Sequence, residues 1–213
     1  MNQSLFFAVD VALIPGDELA MEAISINKRL LDRRDSEIRL AMTPNVRFGL
    51  PHISLGMFFV GGAFVLEARD RLNSLLKQSA SIQIEVERVS KRRNSHGSYT
   101  YSLDVLRTAE IQDLHQATMS VFSDWLGANG DTASFLAGVD SARESDAQWI
   151  SQFAEKAAFS NFDPHITLGF GDDHFETGLV DMPQGRARAV GIYRLGSGCT
   201  CREILQEIAM TKR

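Results

Sequence analysis

The sequence predicts an α+β fold in which one structural unit occurs twice. The hexapeptide at residues 51–56, Pro-His-Ile-Ser-Leu-Gly, recurs at residues 164–169 with threonine in place of serine. Each copy alternates Ile and Leu with polar or small residues, which is the pattern of a β-strand. Each copy also follows a segment with helical periodicity. This order favours antiparallel sheets flanked by helices over the alternating units of a parallel sheet.

The first half of the chain predicts a strand, a helix and then the first hexapeptide. Residues 5–13 are apolar enough for a strand, and Pro15 and Gly16 end it. Asp17 can cap the helix that follows, which runs to about residue 31. Its apolar positions recur at helical spacing: Leu19, Ala23, Ile26 and Leu30. A charged loop at residues 32–39 leads to the first hexapeptide.

The middle of the chain predicts a second helix and a hairpin. The helix follows Gly61 and Gly62, and its apolar face is formed by Val65, Ala68, Leu72, Leu75 and Leu76. Residues 82–87 and 99–105 alternate apolar and polar side chains, which indicates two strands with one exposed face each. Residues 94–97, Asn-Ser-His-Gly, are typical of the turn that joins them.

The second half repeats the order of helix and hexapeptide. A helix is predicted over residues 111–125 and another over 150–157. Between them, residues 127–145 are rich in Gly, Ala, Ser and Asp and predict a flexible loop. After the second hexapeptide, residues 186–195 predict a strand. Residues 201–210 fit either a strand or a helix.

Composition and charge narrow the classes of function. A chain of 213 residues can form a single domain, 1–213, or two small lobes that share a core. The net charge of -5 argues against broad binding to duplex nucleic acid, which favours a basic surface. We expect no signal peptide, because residues 1–7 lack a basic leader and Asp10 interrupts the apolar run. We expect no membrane segment, since the longest apolar stretch, residues 55–66, is too short. We therefore expect a cytoplasmic monomer, in which Cys199 and Cys201 are structural thiols.

The repeated hexapeptide carries the chemistry of a phosphodiester site. Alternate side chains of a strand share a face, so the His, the hydroxyl residue and the Gly of each copy point the same way. These residues are His52, Ser54 and Gly56 in the first copy, and His165, Thr167 and Gly169 in the second. Two imidazoles can act as general base and general acid, while two hydroxyls donate to phosphate oxygens. Such a site needs no metal, and we expect no cofactor. The alternative is that both histidines are structural and lie apart.

Several other residues are weaker candidates. Arg47 lies close enough in sequence to reach the mouth of the site, and Tyr193 could stack on a base, as could Phe58 and Phe170. Core packing is the favoured interpretation of all three aromatic residues. The run Lys91-Arg92-Arg93 is either a phosphate contact or, as favoured, a solvated turn. His115 and His174 are expected to be exposed and structural.

The two H-x-[S/T] motifs resemble those of the 2H phosphoesterase superfamily, which includes bacterial 2′,5′ RNA ligase-like proteins and cyclic nucleotide phosphodiesterases. Residues 193–198 are also similar to the last-strand region of that family. The resemblance implies a bilobal, pseudo-twofold fold of two antiparallel sheets flanked by helices, with the motifs facing across a groove. It makes His52 and His165 the acid/base pair and Ser54 and Thr167 the phosphate binders.

The resemblance also implies a reaction. Its usual form opens a 2′,3′-cyclic phosphate to a 2′-phosphate, and some members act on 2′,5′ linkages. The acidic net charge favours a small nucleotide or an RNA end as substrate. A 2′,5′ RNA ligase or RNA end-processing enzyme is the alternative within enzymes, and a non-catalytic nucleotide- or phosphate-binding module is the alternative outside them. The sequence does not decide which histidine is the base.

Overall fold

The computed structural model describes residues 6–31, 38–76, 82–94, 97–171, 177–179 and 184–210. Four α-helices lie in this part of the chain: α1 (Asp17–Leu31), α2 (Val65–Leu76), α3 (Ala109–Val121) and α4 (Glu144–Lys156). The strands are β1 (Phe6–Pro15), β2 (Ile53–Gly61), β3 (Gln83–Ile84), β4 (Val86–Arg93), β5 (Tyr99–Val105), β6 (His165–Gly171), β7 (Gly178–Leu179), β8 (Gly185–Gly196) and β9 (Thr200–Ala209).

The strands form two sheets, and each sheet contains one copy of the hexapeptide. The first sheet has the order β2-β1-β8-β3, with β9 also paired to β8. The second has the order β6-β5-β4-β7. All pairings between these strands are antiparallel. The α+β fold with two antiparallel sheets and flanking helices, predicted from the sequence, is therefore confirmed.

One strand predicted from alternation is divided between the two sheets. Residues 82–87 were expected to form one strand, but β3 pairs with β8 in the first sheet and β4 pairs with β5 in the second. The alternation of side chains continues through Glu85, so it cannot reveal that the pairing partner changes there. The segment 201–210, which fitted a helix or a strand, forms β9 and pairs with β8.

The loop expected to be flexible is packed against the rest of the protein. Within residues 127–145, Thr132–Ser134 form one helical turn, and Phe135 is buried with its ring edge-on to Phe59. Asp140 forms a bidentate ion pair with the buried Arg202. The side chains of Phe135 and Asp140 therefore anchor this segment, which its Gly- and Ser-rich composition did not indicate.

The hydrophobic core extends between the helices and both sheets. The helix α1 shows how the sequence directs this packing: its apolar stripe is buried, while Met21 on the opposite face is exposed. Because only one face of α1 is apolar, this face turns toward the core, and the orientation of the helix about its axis follows. None of the helices in the described part of the chain has the length and apolar character that crossing a membrane requires.

Candidate active site

Both motif strands carry a β-bulge at the same position of the hexapeptide. The extra residue is Leu55 in β2 and Leu168 in β6. The pairs on either side are Ser54–Ala12 and Gly56–Val11 in the first copy, and Thr167–Ser102 and Gly169–Tyr101 in the second. A bulge re-aims the side chains that follow it, because the alternation of faces is shifted by one residue.

The shifted alternation brings the residue after each hexapeptide into the site. Met57 and Phe170 line the same pocket as the motif residues. Gly56 faces the interior instead, since a Cβ there would lie 2.8 Å from the Phe58 ring. The expectations that Gly56 clears space for a ligand and that Phe170 faces the core are therefore wrong. Gly169 has φ 145°, a conformation that favours glycine.

Side chains from two helices bind the carbonyl oxygens of the bulge residues. His115 Nδ1 in α3 donates to Leu55 O at 2.8 Å, and Asn27 Nδ2 in α1 donates to Leu168 O at 2.6 Å. A buried carbonyl oxygen that is not hydrogen-bonded to the neighbouring strand needs another donor, and these side chains provide it. The two copies of the motif are thus stabilised in the same way, each by one polar residue on a helix.

His115 is buried, which corrects the expectation that it is an exposed histidine. Its Nδ1 donates to Leu55 O, so in the neutral ring Nε2 is the acceptor for the Phe159 amide at 2.8 Å. The ring stacks on Phe162 at 3.9 Å. Burial lowers its pKa and favours this neutral form. His115 therefore supports the first motif rather than acting in the pocket.

Asn27 was not identified from the sequence. It is fully buried, donates to Ile38 O as well as to Leu168 O, and accepts from the Leu40 amide at 2.9 Å. The available signal was a polar residue inside the apolar stripe of α1, next to Ile26. A buried amide at such a position usually has specific partners.

The motif residues meet in one pocket. The strands β2 and β6 contact each other, and a pocket of about 540 Å³ is lined by all four predicted groups: His52, Ser54, His165 and Thr167. Basic and aromatic side chains line it as well: Arg92, Arg93, Lys156, Trp149, Phe162 and Phe170. Arg92 and Arg93 therefore lie in β4 beside the pocket, not in the solvated turn that the sequence favoured.

The two histidines are held in matching orientations. Nδ1 of His52 donates to Leu50 O and Nδ1 of His165 donates to Asp163 O, both at 2.8 Å and both two residues back along the chain. Since a carbonyl oxygen only accepts, the proton of each neutral ring lies on Nδ1. The Nε2 lone pair of each ring then remains for chemistry.

A buried carboxyl group lies beneath the first motif. Asp10 in β1 accepts a hydrogen bond from Ser54 Oγ at 2.6 Å, and the same oxygen, Oδ2, is 3.5 Å from His52 Nε2. Burial raises the pKa of Asp10 well above its ordinary value, and burial lowers the pKa of His52 to about 4. Nearby His165 adds to the lowering of the pKa at His52. Both shifts favour a neutral pair over an ion pair.

We expect the imidazole of His52 to titrate near pH 4 when its resonances are followed by NMR. An unfolded histidine titrates near its ordinary 6.5, so between these values the unfolded chain binds a proton that the folded chain does not. The contribution of this group to stability therefore falls as the pH drops from about 6.5 to 4 and is unchanged above that range. A titration midpoint at or above 6.5 would show that burial does not determine the pKa of His52.

Two weaker candidates do not reach the pocket. Tyr193 is fully buried in β8, where its hydroxyl donates to Glu207, so it is a core residue. Arg47 lies in an exposed turn where Asn45 accepts a hydrogen bond from its backbone amide, and it does not line the pocket. Phe58 is also buried in the core, as favoured. His174 lies outside the described residues.

One set of side chains in the described part of the chain offers metal-binding atoms. A carboxylate oxygen of Asp10, a ring nitrogen of His52 and the Cys201 sulfur lie within 4.8 Å of one another. Carboxylate, imidazole and thiolate together suit a zinc ion. The set overlaps the first motif through His52, so a metal bound there and the base chemistry of His52 compete for the same atom.

Comparisons with known proteins agree with this fold. TT0787 of Thermus thermophilus is similar, with a TM-score of 0.59, 12% identity and coverage of 96% of this chain and 98% of that one. Escherichia coli LigT, solved with 3′-AMP, is similar with a TM-score of 0.51, 14% identity and coverage of 98% and 100%. At these identities the likeness shows the fold alone. No curated protein matches the sequence.

A family model matches the sequence itself. The model of the 2′-5′ RNA ligase superfamily covers residues 29–177, which is more than half of the 213 residues. That range contains both hexapeptides and the helices α2, α3 and α4 between them. The resemblance seen in the two H-x-[S/T] motifs is confirmed, and the chain belongs to the 2′-5′ RNA ligase superfamily of 2H phosphoesterases.

Proposed function

We propose that this protein is a metal-independent phosphodiesterase that opens a 2′,3′-cyclic phosphate, on a nucleotide or an RNA end, to a 2′-phosphate. The observation that carries the proposal is that both histidines and both hydroxyl residues of the repeated motif line one pocket of about 540 Å³. Both motifs come from a single chain, so the site needs no second copy and we expect a monomer.

His52 is the general base of the proposed reaction. Its ring is neutral at physiological pH because burial lowers its pKa to about 4, and its Nδ1 proton is held by Leu50 O. Nε2 therefore takes a proton from a water molecule as the water oxygen attacks phosphorus. His165, protonated on Nε2, gives its proton to the 3′ oxygen as the bond between phosphorus and that oxygen breaks. The products are a 2′-phosphate and a free 3′ hydroxyl.

Ser54 and Thr167 hold the phosphate in this proposal. Both residues line the pocket, and each hydroxyl can donate to a non-bridging oxygen, where negative charge accumulates in the transition state. The Ser54 hydroxyl now donates to Asp10. Because burial raises the pKa of Asp10 and so favours its protonated form, the carboxyl can donate to Ser54 Oγ instead and leave the Ser54 proton for the phosphate.

The remainder of the pocket suits a nucleotide. Arg93 and Lys156 place positive charge beside the motifs, although the whole chain has a net charge of -5. Arg92 lines the pocket too, and its guanidinium forms ion pairs with Asp163 and Asp104. Trp149, whose surface is 39% exposed, and Phe170 offer aromatic faces for a base. LigT from E. coli has been solved with 3′-AMP, which supports a small nucleotide as the ligand of this fold.

The test is hydrolysis of the four 2′,3′-cyclic nucleotides in the presence of a chelator, with products identified by ³¹P NMR. We expect only 2′-phosphates. A 3′-phosphate product, or activity that requires added metal, would contradict the mechanism. RNA halves with matching ends form a parallel assay: formation of a 2′,5′ linkage would favour the ligase that the superfamily is named for. Tight nucleotide binding without any product would indicate a binding module.

Replacing Thr167 with valine is expected to lower kcat by about 10- to 100-fold. Valine has the same shape, and the change removes one hydrogen bond to a charged phosphate, worth roughly 1.5–3 kcal/mol. KM should change less than kcat, because the bond strengthens as charge develops. Steady-state kinetics measure both constants. A larger effect on KM than on kcat would show that Thr167 binds the ground state instead.

A further inference from the structure

We propose that Asp10, His52 and Cys201 form an inhibitory Zn²⁺ site at the base of the pocket. Their donor atoms lie within 4.8 Å of one another. The three residues come from β1, from the first motif and from β9. This inference rests on the proposed function and adds a regulatory ligand to it, and it is tested by metal binding in the absence of any substrate.

The spacing of the donors suits zinc. Zinc ligands that are oxygen or nitrogen lie about 2.0–2.1 Å from the metal, which places two of them about 3.3 Å apart at a tetrahedral angle. Asp10 Oδ2 and His52 Nε2 are 3.5 Å apart. The Cys201 sulfur completes a set of three, and a water molecule from the pocket would be the fourth ligand. At a Zn–S distance of about 2.3 Å the sulfur would lie about 3.6 Å from each of the other donors, so it has to move inward by at most about 1.2 Å.

Asp10 provides a second, independent observation. Its side chain is fully buried, and its Oδ1 atom has no hydrogen-bond partner among the described residues. A buried carboxyl oxygen without a well-formed hydrogen bond is costly, because it has lost the water that solvates it in the unfolded chain. A cation bound by this carboxyl would offset the negative charge that the carboxylate carries in the interior. The Ser54 hydroxyl donates to Oδ2, and the Gly56 amide also interacts with this carboxyl.

The backbone holds two of the ligands in place. Leu50 O accepts from His52 Nδ1, and the Leu50 amide donates to Cys201 O at 2.9 Å. Leu50 thus connects the histidine to the strand that carries the cysteine. A carbonyl bound to one nitrogen of a histidine ring fixes the other nitrogen as the metal ligand. His52 Nε2 is the atom that this arrangement leaves available.

Zinc at this site would compete directly with catalysis. His52 lines the pocket, whereas Asp10 and Cys201 are buried and do not line it, so His52 is the residue that the metal and the reaction share. On binding, the Asp10 carboxyl and the Cys201 thiol, whose pKa values are both raised by burial, each release a proton to the solvent. The Nε2 lone pair that would accept a proton from water is then occupied by the metal. We expect Zn²⁺ to inhibit the phosphodiesterase reversibly and a chelator to restore it.

The test is titration of the metal-free protein with Zn²⁺ by calorimetry, and with Co²⁺ by absorption spectroscopy. Co²⁺ bound to a thiolate shows a near-ultraviolet charge-transfer band. The chain contains two cysteines, so Cys199→Ala leaves Cys201 as its single thiol. We expect one metal per chain and the band in both wild type and Cys199→Ala. Cys201→Ala should lose the band and bind Zn²⁺ at least about 100-fold more weakly. Loss of a residue that only orients a ligand typically weakens metal affinity by about 10- to 100-fold, and loss of a ligand itself should cost more.

Two results would overturn the proposal. One is equal Zn²⁺ affinity in wild type and Cys201→Ala; the other is absence of the charge-transfer band from Cys199→Ala. Because Cys199→Ala retains all three ligands, its spectrum decides the question even if Cys201→Ala does not fold. Neither measurement uses a substrate, so failure of the zinc site and failure of the phosphodiesterase assignment remain separate outcomes.

Discussion

Replacing His165 with alanine is expected to lower kcat on a 2′,3′-cyclic nucleotide at least about 100-fold. The imidazole is the proposed donor of the proton that the leaving 3′ oxygen needs. His165 is only half-buried at the start of β6, and its Nδ1 atom donates to the nearby Asp163 carbonyl. The fold should therefore survive the change. Single-turnover kinetics with a chelator measure the effect, and circular dichroism confirms the fold.

The control for this experiment is Arg47→Ala. Arg47 lies in an exposed turn outside the pocket, so its loss should leave kcat unchanged. His52→Ala should reduce kcat at least as much as His165→Ala does. The double variant should lose little more than either single variant, since acid and base act in one step and their effects are not additive. Full activity in either single variant would exclude the two-histidine mechanism.

Replacing Asn27 with alanine is expected to destabilise the protein by roughly 3–5 kcal/mol. The change removes three hydrogen bonds of a fully buried side chain and leaves Leu168 O, Ile38 O and the Leu40 amide without the partner they have now. Each unsatisfied buried group costs about 1–3 kcal/mol, and partial relaxation reduces the sum. For a chain of this size, Tm should fall by on the order of 10 °C. Thermal and urea unfolding measure the two quantities.

Met21→Ala provides the comparison on the same helix. Met21 is exposed on α1, and its removal should change the free energy of unfolding by less than about 0.5 kcal/mol. Asn27→Asp separates the two directions of hydrogen bonding, because a carboxylate can accept from Leu40 but cannot donate to Leu168. Equal stability of wild type and Asn27→Ala would show that the bulge in β6 does not depend on this amide.

The repeated hexapeptide made the main features of the site predictable. Alternation within residues 52–54 and 165–167 predicted that a histidine and a hydroxyl residue of each copy share a face, and all four line the pocket. The apolar Ile53 and Ile166 anchor the strands in the core. Local periodicity was sufficient because these residues precede the bulge. The helices were predictable for the same reason, since their apolar stripes are local patterns.

Features that depend on strand pairing were not predictable. The bulges at Leu55 and Leu168 are defined by the partner strands, so the facing of Gly56 and Phe170 was predicted wrongly. The change of sheet at Glu85 escaped detection for the same reason. A run of charged residues does not indicate whether the segment pairs with another strand. Arg92 and Arg93 were therefore expected in a solvated turn rather than in β4.

The bulge contacts have a consequence for how the two halves of the chain depend on each other. The helix α1 precedes the first motif, yet Asn27 binds the carbonyl of the second; α3 follows the first motif, yet His115 binds back to it. A fragment that ends after β2 would therefore contain a helix without the strand it supports and a strand without the histidine that supports it. Neither half holds all the groups that its own motif needs, so we expect the two halves to unfold together in a single cooperative transition.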